Sequence, residues 1–229
     1  MVRYMGGKHR IKGAILKAIT EDAGAGKTWV EPFLGGGSVA AEASKHHEKL
    51  LLADLNPLVV ALWQPSDEYL PAEMTESRYQ ELREGGLITR EAALAAFGCS
   101  FGGKQWGGWA RGGTARDYWA EAVHSWSRKY DAIHSVDTTV VCSAYGALSI
   151  PPGAVVYCDP PYAGTTGYRT GAWDAQAFYS WAEDKAANSS VYVSEYSAPA
   201  SWRVVWERDT SAPLNNNSNR AVERLFTPE

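Results

Sequence analysis

The chain has 229 residues and 45% of them are hydrophobic, which is enough for one sizeable α/β core with a small inserted subdomain. No apolar run approaches the roughly 18 to 20 residues that a membrane span needs. A net charge of −4 weighs against a uniformly basic nucleic-acid-binding surface and leaves only local basic patches for phosphate contacts.

The N-terminal residues 1–20 are basic and contain no acid, but they lack the apolar core and the cleavage site of a signal peptide. The three cysteines, Cys99, Cys142 and Cys158, cannot all pair, and no Cys or His spacing is typical of a metal site. We therefore expect a cytoplasmic protein without a metal, a membrane contact or an obligate protein partner.

The first part of the chain predicts alternating strands and helices. A strand, a glycine-rich turn, a helix, a second strand and a second helix are expected at residues 28–30, 31–38, 39–45, 49–53 and 57–63. This order within a short stretch is typical of a βαβ unit.

The pattern changes in the middle of the chain and then returns. Residues 72–98 predict two helices broken at Gly85 and Gly86, residues 98–116 are too rich in glycine for a regular element, and residues 117–130 predict a helix. Further strands are expected at residues 138–142, 154–158, 191–193 and 204–206, with a helix at 174–187.

These elements predict a doubly wound α/β fold with an inserted, mainly helical subdomain. Residues 1–63 and 131–229 form the main domain in this division, and residues 64–130 form the insertion. The acidic excess of the chain lies in residues 65–91, whereas residues 101–116 carry only basic charges.

The motif with the clearest chemistry is YCDPPY, at residues 157–162, at the carboxyl end of a predicted strand. The exocyclic amine of an aromatic base is a poor nucleophile because its lone pair is delocalised into the ring. Asp159 and the carbonyl of Pro160 can accept its hydrogens, with their geometry fixed by Pro160 and Pro161. Tyr162 offers a flat face for a base rotated out of a duplex. The alternative is an ordinary proline turn after a buried strand.

A second motif, EPFLGGGS at residues 31–38, is followed by Asp54. Glycines let the backbone approach a ligand closely, and an acid about 20 residues further on can bind ribose hydroxyls. The motif is not GxGxxG, and no Gly-Lys-Ser/Thr follows, so a phosphate cradle is not implied. An ordinary flexible turn explains the motif equally well when it is considered alone.

A third motif, YMGGK at residues 4–8, would by itself be a basic tail. Together with DLN at residues 54–56, the motifs in this order resemble the Dam-like, D12-class family of DNA adenine-N6 methyltransferases. The pattern of that family is aromatic-x-GGK, EPFxGxGS, DxN and YCDPPY. The resemblance frames residues 4–63 and 138 to about 226.

The resemblance implies a Rossmann-like methyltransferase that uses S-adenosylmethionine to methylate N6 of adenine flipped out of double-stranded DNA. It implies the catalytic residues Asp159, Pro160, Pro161 and Tyr162, and a cofactor site of Tyr4, Lys8, Pro32, Phe33, Gly35, Gly37, Asp54 and Asp159. Residues 194–196 are expected to line the site, and the final motif begins at residues 219–220. One departure is CSA at residues 142–144, where many members have an acid near the cofactor adenine.

The resemblance also places target recognition in the insertion at residues 64–130. Its segment 101–116 has cations for phosphates or guanine edges and rings that could stack, which predicts DNA contacts by Lys104, Trp106, Trp109, Arg111 and Arg116. The alternative is a surface loop whose tryptophans pack into the core.

Other acceptors are compatible with the motif chemistry. Motifs of this type also serve cytosine N4 and the amide of protein glutamine, but the aspartate together with GGK favours adenine. Cytosine C5 methylation needs an attacking cysteine, usually after proline, and none of the three cysteines follows a proline. A catalytically inactive DNA-binding homologue is the non-enzyme alternative, against which intact Asp159, Pro160 and Tyr162 argue.

Overall fold

A computed structural model describes residues 6–112, 116–161, 173–210 and 221–229. Its strands are β1 (Trp29–Glu31), β2 (Lys49–Asp54), β3 (Asp137–Cys142), β4 (Val155–Cys158), β5 (Ser190–Glu195), β6 (Arg203–Thr210) and β7 (Ala221–Thr227). Its α-helices are α1 (Lys12–Ala23), α2 (Ala40–Ala43), α3 (Pro57–Trp63), α4 (Glu76–Gly85), α5 (Arg90–Gly98), α6 (Tyr118–Ile133) and α7 (Ala175–Ala186).

The strands form one seven-stranded sheet in the order β3-β2-β1-β4-β5-β7-β6. The first five strands of this order are parallel, and β7 pairs antiparallel with both β5 and β6. The strand order reverses between β1 and β4. In open α/β sheets, ligands bind at such a switch point, in the crevice outside the carboxyl ends of the strands.

Alternate residues of the strands pack on opposite faces of the sheet, as the period of two in a strand requires. Trp29, Val155 and Tyr157 belong to the larger core cluster, which also contains apolar residues of helices α1 to α6. Val30 and Val156 belong to a second cluster, which α7 covers. The central strands are therefore buried on both faces, which is typical of a doubly wound fold.

Side-chain caps fix where the helices begin. The cap residue accepts a hydrogen bond from a backbone N–H of the first helical turn in α3, α4, α5, α6 and α7, and these caps are Asn56, Thr75, Thr89, Asp117 and Asp174. Each such cap stabilises a helix by about 1 kcal/mol. Gly86, in the left-handed conformation with φ 62°, ends α4.

The α/β class is confirmed, and each predicted strand and helix has a counterpart within a few residues. Among the α-helices and strands of the described residues, two were not predicted. Residues 12–23 were interpreted as part of a basic segment, but Ile15, Leu16 and Ile19 form the buried side of α1. The antiparallel strand β7 was also missed, although Leu225 and Phe226 are buried in it.

The insertion is mainly helical, but it shares the larger core cluster with the rest of the chain. Trp126 of α6 donates a hydrogen bond from Nε1 to the carbonyl of Leu62 at 2.7 Å, and Trp119 donates to the carbonyl of Pro71 at 2.9 Å. Its division from the main domain and its role in recognition stay predictions. Among the described residues, no helix is long and apolar enough to cross a membrane.

Candidate active site

Three acids lie at the carboxyl ends of three adjacent strands. Glu31 is the last residue of β1, Asp54 is the last residue of β2, and Asp159 follows β4 directly. These strands are neighbours in the order β2-β1-β4. Asp54 and Glu31 therefore lie on one side of the switch point and Asp159 lies on the other. The sheet topology therefore brings together residues from three separate sequence motifs.

Lys8 neutralises part of this acidic edge. Its Nζ lies 2.7 Å from Oδ1 of Asp159 and 3.5 Å from Oε1 of Glu223 in β7, and its side chain is only 8% exposed. Burial acts to lower the pKa of Lys8, but the two carboxylates outweigh this effect and raise it. The ammonium is therefore held charged beside the predicted catalytic acid. Glu223 was not among the predicted site residues.

The proline pair fixes the chain after β4. Cys158 and Pro160 are buried, whereas Asp159 and Pro161 are half-buried. The two proline rings each restrict φ, so the Asp159 carboxylate and the Pro160 carbonyl lie on a stiff segment. Tyr162 and Tyr4 were predicted as site residues but lie outside the described residues.

The glycine-rich loop after β1 needs glycine at two positions. Gly35 and Gly37 have φ values of 46° and 61°, a region that L-residues other than glycine rarely adopt. A Cβ on Gly37 would also lie 2.7 Å from the ring of Trp63. Pro32 is buried at the start of this loop, and Phe33 is half-buried beside it.

Asp54 holds the glycine-rich loop from the neighbouring strand. Its Oδ2 accepts a hydrogen bond from the N–H of Gly35 at 2.9 Å, and its Oδ1 accepts one from the N–H of Asn56, also at 2.9 Å. Burial raises the pKa of Asp54 to about 6, although these backbone donors act to lower it. A carboxylate has about four acceptor positions, so Asp54 retains capacity for a ligand hydroxyl.

Glu31 is a buried acid for which the sequence predicted no role. It is 2% exposed, and Trp29 donates to its Oε2 from Nε1 at 3.2 Å. Burial raises the pKa of Glu31 well above its ordinary value, and the charges of Asp159 and Asp54 raise it further. Glu31 is the first residue of the EPF motif, and this position in the motif was the sequence feature that could have indicated a role in the site.

The predicted lining at residues 194–196 lies at the end of β5, next to β4 in the sheet. Ser194 is buried, and its Oγ lies 2.9 Å from the hydroxyl of Tyr157. Glu195 is buried as well, and its Oε2 accepts from the N–H of Tyr196 at 2.9 Å. Residues 219–220 lie outside the described residues.

Aromatic side chains form a second wall of this edge. The ring of Phe33 lies 5.6 Å from Tyr145 and 5.6 Å from Phe178, measured between centroids. Tyr145 follows the CSA sequence at residues 142–144, where the chain departs from the family pattern. The backbone N–H of Ser143 donates to the carbonyl of Asp54 at 3.1 Å, so the CSA sequence lies next to Asp54.

The tryptophans predicted to contact DNA are half-buried. The rings of Trp106 and Trp109 lie 5.2 Å and 5.5 Å from Tyr79 of α4 and pack against the larger core cluster. This packing agrees with the alternative interpretation, in which residues 101–116 form a surface loop whose tryptophans pack into the core. Their contact with DNA stays a prediction without structural support.

Residues 101–116 contain no acid, but the two arginines of this segment are paired with acids from other parts of the chain. Arg111 pairs with Glu76 at 2.6 Å, and Arg116 pairs with Glu121 at 2.8 Å. Both acids come from outside residues 101–116: Glu76 is 35 residues from Arg111, whereas Glu121 is only five residues from Arg116. Lys104 is exposed.

A polar contact links residues 101–116 to the DLN motif at residues 54–56. Asn56 donates from Nδ2 to Oε1 of Gln105 at 2.8 Å and also caps α3.

Among the residues that the structure describes, no group of three or more His, Cys, Asp or Glu side chains could hold a metal ion.

The fold is a mixed α/β fold whose sheet resembles that of Rossmann-like methyltransferases. The chain is similar to the rRNA methyltransferase AviRa of Streptomyces viridochromogenes, with 13% identity, coverage of 99% of this chain and 87% of that chain, and a TM-score of 0.50. An rRNA methylase of Streptococcus thermophilus gives 7% identity, 94% coverage of both chains and a TM-score of 0.44.

The family comparison is more specific. The profile of the D12 class N6 adenine-specific DNA methyltransferases matches residues 4–84, which confirms the resemblance over this part of the chain. No curated protein matches the chain significantly. The family match and the shared fold together support a methyltransferase.

Proposed function

We propose that the protein transfers a methyl group from S-adenosylmethionine to N6 of adenine in double-stranded DNA. One observation carries the proposal: Asp159 and Pro160 lie at the switch point of the sheet, in a chain whose residues 4–84 match the D12 profile. An acid and a fixed carbonyl at this position suit an exocyclic amine better than a hydroxyl or a ring carbon.

The residues at this edge fit the proposed cofactor. Asp54 is an acceptor for ribose hydroxyls beside a glycine loop whose backbone a ligand can approach closely. Phe33 gives the same edge an apolar wall. When bound, S-adenosylmethionine supplies an electrophilic methyl group, and the residues of the chain supply orientation and charge.

Asp159 and Pro160 prepare the nucleophile in this mechanism. The Asp159 carboxylate and the Pro160 carbonyl accept hydrogen bonds from the amine, which favours a pyramidal nitrogen and exposes its lone pair. The positive charge that develops on this nitrogen is stabilised by the same two acceptors and disappears when the nitrogen releases one of its protons to solvent. The adenine must leave the duplex to reach them, so base flipping belongs to the proposal.

Lys8 sets the charge of the site. With Asp159, Glu31 and Glu223 close together, an unbalanced site would favour protonated carboxyl groups. The Lys8 ammonium, 2.7 Å from Asp159, favours the ionised carboxylate that the mechanism requires. Lys8 is thus a positioning residue for Asp159 rather than a group that meets the amine.

Transfer of a labelled methyl group tests the substrate class directly. The protein is incubated with labelled S-adenosylmethionine and, separately, double-stranded DNA, ribosomal RNA and protein, followed by nucleoside analysis. We expect label in DNA as N6-methyladenine. Label in N4-methylcytosine would support the cytosine alternative, and label only in RNA or protein would overturn the proposal.

Asp54→Asn is expected to weaken S-adenosylmethionine binding by about 1 to 3 kcal/mol, the usual effect of losing a charged hydrogen-bond partner. Because the pKa of Asp54 is raised to about 6, wild-type affinity should fall as the pH decreases from 7 to 5 and the carboxylate is protonated. The variant should lose most of this dependence. Calorimetry at several pH values measures both effects.

The matched control is Asp137→Asn, at the opposite end of the adjacent strand β3. Its affinity and pH profile should equal those of the wild type. Unchanged affinity in Asp54→Asn would move the cofactor site away from the end of β2.

The basic segment gives a separate prediction about DNA. Lys104→Ala should lower the slope of log affinity against log salt by roughly one unit on any DNA sequence, if Lys104 contacts a phosphate. Arg111→Ala and Arg116→Ala should have smaller effects because each arginine already has a carboxylate partner. DNA binding at two salt concentrations measures the slopes.

Cofactor affinity should not change in these three variants, because the segment lies outside the cofactor motifs. Lys185→Ala on α7 serves as a control for the loss of one surface cation. Normal DNA affinity in all three variants would leave the segment with a structural role only.

A further inference from the structure

Two side chains outside the proposed mechanism hold the glycine-rich loop. Lys129 of α6 donates a hydrogen bond from Nζ to the carbonyl of Gly36. Trp63, the last residue of α3, donates from Nε1 to the carbonyl of Gly35 at 3.0 Å. The Lys129 Nζ also lies 5.2 Å from the centroid of the Trp63 ring, within the range of a cation–π interaction.

These bonds fix two consecutive peptide units. The carbonyl of Gly36 is held by Lys129, and the N–H of the same peptide unit, on Gly37, donates to the carbonyl of Leu34 at 3.0 Å. The preceding unit is held through Gly35 by Trp63. Because the C=O and N–H of a trans peptide point in opposite directions, each hydrogen bond to a carbonyl also sets the direction of the N–H group in the same peptide unit.

The lysine is an unfavourable group in this place. Burial, together with the charge of Lys12 in α1, lowers the pKa of Lys129 to about 8. Among the described residues, no carboxylate lies within ion-pair distance of Nζ. Lys12 is itself paired with Glu42 of α2 at 2.9 Å, and His9 faces the same cations.

A buried cation without a counter-ion destabilises a fold. Packing alone would be served by methionine, which has a similar length and no charge. The Gly36 carbonyl is therefore the contact that accounts for a lysine at this position.

We propose that Lys129 is a positioning residue whose ammonium fixes the Gly36 peptide and so orients the glycine-rich loop for the cofactor. This inference rests on the proposed function, because it takes S-adenosylmethionine as the ligand of the loop. The charged donor matters because charge-assisted hydrogen bonds are roughly twice as strong as neutral ones. Lys129 thereby connects the cofactor loop to the helix that follows the predicted DNA segment.

The test measures binding of S-adenosylhomocysteine to the full chain by calorimetry. Lys129→Met should raise the dissociation constant by about 10- to 100-fold, the range for losing a charged hydrogen bond. Lys129→Gln keeps a neutral donor and should have an intermediate effect. Lys45→Met, an exposed lysine just after α2, should stay within about twofold of the wild type.

The pH profile separates positioning from a structural role. Wild-type affinity should fall between pH 7 and pH 9 as the ammonium loses its proton, whereas Lys129→Met and Lys129→Gln should lack this decrease. Asp54 titrates below this range and Lys8 above it. Glu31 and the other groups facing the loop are the same in all these proteins, so the difference between profiles belongs to Lys129.

Thermal unfolding gives the second readout. The folded-state pKa of Lys129 is below its ordinary value of 10.5, so the cost of its charge is full below pH 8 and disappears as the pH rises toward 10.5. Lys129→Met should therefore melt no lower than the wild type at pH 7, and its advantage should shrink at higher pH.

The outcomes are distinguishable. If the wild type does not bind S-adenosylhomocysteine, the proposed cofactor and this inference both fail. If the wild type binds it and Lys129→Met binds it equally well, only the inference about Lys129 fails. Loss of affinity together with a lower melting temperature at pH 7 would also overturn it, since the lysine would then be structural.

Discussion

Asp159→Ala is expected to lose methyl-transfer turnover by about 10²- to 10³-fold, the typical effect of removing one preorganised polar group at a reacting centre. The variant leaves the amine with the Pro160 carbonyl alone. Lys8 loses one partner but keeps Glu223, and the β4 strand before Asp159 is buried and paired on both sides, so the fold should be retained at a lower stability. Single-turnover rates with labelled cofactor and DNA measure the loss, and circular dichroism checks the fold.

Two further variants make this result specific. Asp159→Asn keeps the size of the side chain and one carbonyl acceptor, so it should retain more activity than the alanine variant. Asp184→Ala removes an exposed acid from α7 and should have no effect. Near-normal turnover in Asp159→Ala would refute the catalytic assignment.

Lys8→Met is expected to lower the free energy of unfolding at pH 7 by about 3 to 5 kcal/mol, the range for breaking a buried ion pair from one side. The change leaves Asp159 and Glu223 without the cation that now lies between them. In a protein of this size the unfolding midpoint should fall by roughly 10 °C. Activity should fall too, because Asp159 loses the charge that keeps it ionised.

The pH dependence identifies the cause of this loss. In the wild type the pKa of Lys8 is raised above 10.5, so the stabilisation is fully present below that pH and is lost as the pH rises through the folded-state value. In Lys8→Met the carboxylates should bind protons more readily when folded than when unfolded. The stability of the variant should then recover as the pH falls from 7 to 5.

Lys17→Met, an exposed lysine of α1, is the control, because its ion pair with Glu21 is solvated and contributes little. Denaturant unfolding at three pH values measures the free energies. A Lys8→Met variant with wild-type stability at every pH would mean that the ion pairs at this edge contribute nothing to the fold.

The sequence alone determined the local structure of the site. Asp159 directly follows β4, Asp54 is the last residue of β2, and Asn56 caps the next helix. These features depend on residues close together in the chain, such as caps, prolines and glycines. For the same reason the two helices broken at Gly85 and Gly86 could be predicted.

Sequence periodicity did not reveal α1 or β7. The apolar residues of α1 are mixed with lysines and follow further basic residues, so the segment was interpreted by its charge. The strand β7 enters the sheet antiparallel between β5 and β6, and its place depends on two partners. The tertiary environment, rather than local propensity, decides such elements.

Only the tertiary structure decided which charges meet. Lys8 meets Glu223 from the last strand, Lys129 reaches the glycine loop from α6, and the arginines of the basic segment find acids on α4 and α6. The order β2-β1-β4 also brings Asp54, Glu31 and Asp159 to one edge. Apart from Arg116 and Glu121, which are five residues apart, these groups are distant in the sequence and meet only because the chain folds back on itself to bury its apolar faces.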